Sequence, residues 1–240
     1  MTTALVDPLT AASFSADAFA PGALHAYWDG SGDETAVRAI ASGREEIRVA
    51  LRAWPAPEAL VVVQEGNDCF VEGRLADGAT FVAALQIDAD RKIARCLSFH
   101  CPAVEPSPSW NPPAREPPGR ARAVLDRYFE SLSAGRFEDA CACFSQDCLY
   151  SHPPYSAGAA RAEFHGRAEL LAGFENVRGA RPSRLPRIVC CVQNGSECFI
   201  EGVVDGDPPG GSFVSSVALD SDGLIRRYVA LYSNSRVPRL

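Results

Sequence analysis

Cys198-Phe199-Ile200-Glu201-Gly202 is the second writing of a stretch that the chain has already used once, as Cys69-Phe70-Val71-Glu72-Gly73. Extended toward the N-terminus, residues 64–73 read QEGNDCFVEG and residues 193–202 read QNGSECFIEG, with six identities in ten positions. The correspondence runs outward on both sides. Downstream, Phe81-Val82 answers to Phe213-Val214, Asp88-Ala89-Asp90 to Asp220-Ser221-Asp222, and Ile93 to Ile225. Upstream, Gly43-Arg44 answers to Gly166-Arg167, and Phe14-Ser15-Ala16-Asp17 to Phe144-Ser145-Gln146-Asp147. A repeat on this scale means two copies of one folding unit, and 240 residues suffice for two cores.

Periodicity gives the elements of each copy. In the first, a short strand over 24–28 precedes a turn at Asp29-Gly30-Ser31-Gly32. A helix then opens at Gly43, with Ile47, Ala50, Leu51 and Trp54 at i, i+3, i+4 and i+7, and Pro55 and Pro57 stop it. Strands over 60–64, 69–75, 80–87 and 93–100 follow, separated by Gly66-Asn67, Asp77-Gly78 and Asp88-Ala89-Asp90. Turns this short require antiparallel pairing.

Seven prolines in residues 102–119 make that segment a semi-rigid linker, up to ~55 Å long at ~3.1 Å per residue. The second copy then begins with a helix over 120–133 whose apolar face is Val124, Leu125, Tyr128, Phe129 and Leu132. A second helix over 136–144 presents Phe137, Ala140, Cys141 and Phe144. Pro153-Pro154 and a Ser/Ala/Gly loop follow, then a helix from Gly166 with Leu170, Phe174 and Val177 inward. Strands over 187–193, 198–205, 212–219 and 224–232 complete the copy. The expected domains are 1–101, lacking the first helical hairpin, and 120–240, which is complete.

A net charge of -7 without a basic stripe argues against a nucleic-acid surface. Residues 1–14 contain no Lys or Arg and no long apolar run, unlike a signal peptide, and no segment reaches the ~18 apolar residues of a membrane span. The expectation is a cytoplasmic protein without a membrane partner. Nine cysteines include Cys141-Ala142-Cys143, Cys148 and Cys190-Cys191, but none has the spacing of a structural zinc site. Buried reduced thiols acting as small hydrophobes are expected, with no metal.

The order helix, helix, short strand, helix and four-stranded meander resembles the NTF2-like superfamily, of SnoaL-like or ketosteroid-isomerase-like type. The resemblance is carried by Phe144-Ser145-Gln146-Asp147-Cys148-Leu149-Tyr150-Ser151-His152-Pro153 and the Gly166-Arg167 helix start. It covers about 120–234 well and about 14–101 in part. The implied fold is α+β: two tandem units, each a curved antiparallel sheet packed on helices around an apolar pocket, arranged as a pseudo-dimer. Members of the family commonly pair through their sheets, so the resemblance implies intramolecular domain pairing and a monomeric chain.

By the same resemblance Tyr128 falls where the isomerase has a tyrosine donor to the substrate oxygen. His152 falls where it has its carboxylate base, and Ser215 where it has a second, protonated acid. Imidazole keeps proton transfer feasible near neutral pH. Serine reduces the oxyanion site to an ordinary hydroxyl. Tyr150, Tyr155, His165, Phe129, Phe174 and Tyr232 are candidate substrate contacts. Glu201 shares a strand face with Phe199 and Val203, and since Glu72 repeats it, a structural role is favoured. The first copy has Ala83 where the second has Ser215, and only His25 near the His152 position, so any chemistry belongs to the second copy.

Two functions fit these residues. One is a SnoaL-like enzyme, an isomerase, cyclase or dehydratase, moving a proton on a small hydrophobic metabolite of polyketide or other secondary metabolism without a cofactor. The other is a non-catalytic binding or scaffold protein with the same pocket. A cavity lined by both Tyr128 and His152 speaks for the first.

Overall fold

The computed structural model describes residues 15–28, 39–52, 57–76, 78–101, 119–156, 159–179, 184–206, 210–237 and 239. The start of the chain, the turn at 29–32, Trp54 and the proline-rich segment 102–118 lie outside the described residues. Two compact units hold the rest: the first runs to Cys101 and includes Val237 and Arg239, and the second runs from Gly119 to Arg236.

The first unit contains β1 (Phe19–Trp28), β2 (Ala39–Ser42), α1 (Arg44–Arg52), β3 (Pro57–Glu65), β4 (Asp68–Leu75), β5 (Thr80–Ile87) and β6 (Ile93–Cys101). The second contains α2 (Arg120–Ser133), α3 (Phe137–Cys141), β7 (Phe144–His152), β8 (Ala162–His165) and α4 (Arg167–Gly173). A π-turn (Phe174–Arg178) leads from there to β9 (Leu185–Asn194), β10 (Glu197–Asp205), β11 (Ser212–Leu219) and β12 (Ile225–Tyr232). Each sheet has six strands in one order, β2-β1-β6-β5-β4-β3 and β8-β7-β12-β11-β10-β9. The last four strands of each form the expected antiparallel meander. Its two-residue turns carry Gly66 and Gly195 at φ 59° and 63°, a backbone that favours glycine. The first strand of each sheet lies parallel to the last, β1 on β6 and β7 on β12. The fold is α+β, in two tandem copies.

Register corrects one alignment. Phe144 pairs with Ile225, and its structural counterpart is Phe19, which pairs with Ile93; Phe14 is five residues too early. Both phenylalanines are fully buried, and both carbonyls accept from the arginine that opens the following helix, Arg44 Nε on Phe19 O and Arg167 Nε on Phe144 O, each at 3.1 Å. The Gly43-Arg44 and Gly166-Arg167 match is therefore a helix-start clamp used twice. Carried along β1, this register sets His25 opposite Cys96 as Tyr150 lies opposite Tyr228, so Tyr27, not His25, holds the place of His152.

Helix α2 has the expected bounds, and its face Val124, Leu125, Tyr128, Phe129 and Leu132 is buried. Each such side chain contributes about 1.5–3 kcal/mol on removal from water. Helix α3 is shorter than its periodicity implied, since Phe144 already opens β7. Val177 does not face inward but is 56% exposed. The π-turn is the cause: Gly179 N–H donates to Phe174 O at 2.9 Å, an i to i+5 closure that rotates the stripe by one residue. The strands β2 and β8 went unforeseen, being four residues long and, in β8, alternating only between half-buried and exposed.

Gly202 is close-packed rather than merely flexible. The β9–β10 register shifts between Glu201 and Gly202, and a Cβ at Gly202 would run into the Phe213 ring and the Arg187 carbonyl. Glu72 and Glu201 are both buried at matching places in their sheets. Eight of the nine cysteines are buried and Cys191 is half-buried, all as thiols. No described helix is long and apolar enough to cross a membrane.

Candidate active site

The second unit forms a half-open cavity of about 220 Å³ between the inner face of its sheet and α2. Helix α2 contributes Tyr128, Phe129 and Leu132 from consecutive turns of its apolar face. Strand β7 contributes Tyr150 and His152, two residues apart and so on one face; Tyr155 follows from beyond Pro153-Pro154. Strand β12 contributes Tyr228, Ala230 and Tyr232 by the same alternation. All five tyrosines of the second unit therefore meet on one cavity.

Four of the rings form a near-parallel stack. Tyr228 and Tyr150, cross-strand partners, lie 5.3 Å apart at 9°; Tyr150 and His152 lie 6.1 Å apart at 1°; His152 and Tyr155 lie 4.5 Å apart at 15°. Tyr128 meets Tyr228 edge-on at 5.5 Å. Hydroxyls run through the stack: Tyr128 OH donates to Tyr150 OH at 3.4 Å, and Tyr150 OH lies 3.1 Å from Tyr155 OH. Tyr155 is the half-buried member of this run. Burial pushes the Tyr128 and Tyr150 phenols well above their usual range, with the Arg178 charge opposing it at Tyr128. Burial likewise raises Tyr228. These phenols stay protonated and act as hydrogen-bond donors, not bases.

The His152 tautomer follows from its partner. Nδ1 lies 2.7 Å from the Pro153 carbonyl, which only accepts, so Nδ1 carries the hydrogen and Nε2 the lone pair of the neutral ring. The adjacent Pro-Pro turn thus orients the imidazole, as a second carboxylate would in a triad.

Three expected residues stand elsewhere. Ser215 is fully buried and donates to Tyr228 OH at 3.1 Å, so it holds a cavity tyrosine from behind instead of facing the cavity. Phe174 packs under the rings, edge-on to Tyr150 at 5.4 Å, without lining the cavity. His165 is exposed: β8 turns Phe164 toward the core and His165 away, and the His165 N–H donates to Glu169 Oε2 at 2.6 Å. Tyr232 lines the cavity with its hydroxyl accepting from Gly211 N–H at 2.9 Å.

Sequence reasoning missed Tyr228, Arg178 and Arg184, all of which line the cavity. Tyr228 was legible as the i−4 neighbour of Tyr232 on one strand face. The arginines were not, because Arg178 closes the π-turn and Arg184 stands just before β9, where no periodicity assigns a face. Among the described residues, no three His, Cys, Asp or Glu side chains gather as metal ligands.

A helix-backed six-stranded sheet around a tyrosine-lined cavity makes the second unit an α+β domain. Residues 125–228 match the family model for the SnoaL-like domain, and this part of the chain is a SnoaL-like domain. Among solved structures, the chain is similar to an NTF-2 like protein of unknown function from Burkholderia xenovorans LB400, at 16% identity over 50% of this chain and 88% of that one, with a TM-score of 0.37. A protein of unknown function with a cystatin-like fold from Methylobium petroleophilum PM1 is 18% identical over 54% and 82% of the two chains, with a TM-score of 0.38. A hypothetical protein with a ketosteroid isomerase-like fold from Catenulispora acidiphila, solved with trimethylamine, is 13% identical over 46% and 85%, also with a TM-score of 0.38. No curated protein sequence matches the chain.

Proposed function

We propose that the second unit is a cofactor-independent enzyme of SnoaL-like type that moves a proton on a small hydrophobic, carbonyl-bearing metabolite. The observation that carries this reading is the convergence of His152, in the tautomer with its lone pair on Nε2, and the Tyr128–Tyr150–Tyr155 hydroxyl run on one cavity. Nε2 takes a proton from the carbon next to the carbonyl, and the electron pair of the broken C–H bond moves onto the carbonyl oxygen. Phenol donors stabilise that oxyanion. Return of the proton from Nε2–H to another carbon completes an isomerisation; attack of the enolate carbon on a second carbonyl, whose oxygen takes the proton back from Nε2–H, would complete a cyclisation. A reducing, cytoplasmic setting suits nine thiols.

The test is hydrogen–deuterium exchange at the α-carbons of 2-tetralone, a two-ring ketone, followed by NMR in D2O. The native protein accelerates exchange, and His152→Ala lowers the rate by about 10²–10⁴, the usual worth of a positioned base. Full exchange in His152→Ala would sink the mechanism. Tight binding of the ketone without exchange would make the unit a binding protein instead.

A further inference from the structure

The cavity is not only aromatic. Of the residues that line it, two are arginines, Arg178 and Arg184, and among the described residues that line it none is Asp or Glu. Arg178 ends the π-turn and Arg184 stands just before β9, so two separate segments bring a guanidinium to the same rim. Both are half-buried, where a charge acts through less water than at an open surface. Arg178 Nη1 donates to the neighbouring Gly179 carbonyl oxygen at 3.0 Å.

We propose that the ligand of this cavity carries a carboxylate, held by Arg178 and Arg184, on an apolar body of no more than about two fused rings. Planar guanidinium groups match a carboxylate with two parallel hydrogen bonds, which a neutral amide or ketone cannot accept in the same way. The rings pack against Phe129, Phe213 and the tyrosine stack, and the size limit follows from 220 Å³, below the ~300 Å³ at which drug-sized sites begin. An anchored carboxylate fixes the distance from the ligand's other end to His152 and Tyr155. The inference rests on this cavity being the substrate site, but not on proton transfer taking place there.

Isothermal titration calorimetry with 2-naphthoate and its neutral counterpart 2-naphthamide tests it on the full-length protein. The native protein is expected to bind the acid at least tenfold more tightly than the amide, with only the acid weakening as NaCl rises from 20 to about 300 mM. Arg178→Gln with Arg184→Gln should abolish the preference while leaving amide affinity within about twofold, and His152→Gln should retain it. The salt comparison needs no variant and stands even if the double variant fails to fold. Equal affinities for acid and amide, a preference that survives the double variant, or no binding of either compound would each overturn the proposal. Acid preference without exchange of 2-tetralone would refute proton transfer alone; His152-dependent exchange without acid preference would refute the carboxylate alone.

Discussion

His25 and Tyr150 hold the same place in the two sheets, and the difference between them separates the copies chemically. Tyr150 belongs to a hydroxyl run; His25 is fully buried with Nε2 2.7 Å from Ser98 Oγ, its ring between Phe19 and Tyr27. Burial lowers the His25 pKa from 6.5 to about 4, so the ring is neutral in the folded protein. Between pH 4 and 6.5 the unfolded chain binds this proton more readily than the folded one. Stability therefore rises with pH through that window and is lost as pH falls from about 6.5 toward 4. Between pH 7 and pH 5 the first unit should lose about 2 kcal/mol from this group, at 1.36 kcal/mol per pKa unit. Urea unfolding at the two pH values reads it, and His25→Gln, which keeps a polar partner for Ser98, should flatten the difference. Equal pH dependence in both proteins would remove His25 as its cause.

Elements were legible in proportion to how strongly burial imprinted a period. Helix α2 and strands β5 and β11 have the bounds that periodicity gave, because each buries a full face or both faces. Strands β2 and β8 bury too little to leave a pattern, and the π-turn shifts a helical stripe in a way that 3.6-residue counting does not register. Phe14-Ser15-Ala16-Asp17 out-competed the true counterpart because short identity is blind to register, which the Arg44 and Arg167 clamps reveal only in three dimensions. Of the residues expected in a pocket, Tyr128, His152, Tyr150, Tyr155, Phe129 and Tyr232 line the cavity, whereas Arg178, at the end of the π-turn, and Arg184, just before β9, follow no period. Gly202 is the element-level device with a sharp consequence. Its missing side chain lets the Phe213 ring, a cavity wall, lie across β10. Gly202→Ala should lower stability by about 1–3 kcal/mol, the usual range for overpacking, and weaken cavity binding by displacing Phe213. Equal thermal midpoints for Gly202→Ala and the native protein would show that the sheet gives way instead.

For the molecule as a whole, duplication followed by divergence accounts for a repeat that is clearest along the central strands β4 and β10. The Cys-Phe-aliphatic-Glu-Gly strand is shared because each sheet needs it; the cavity residues differ because only one copy has the tyrosines. We propose further that the two copies of one chain pair with each other rather than with another chain. A tethered partner is present at millimolar effective concentration, far above the micromolar concentration of free chains in dilute solution. Light scattering at about 1 μM should then give the mass of one chain, 25.7 kDa, and the mass should stay there on dilution. Twice that mass under the same conditions would show that the copies are completed by a second molecule.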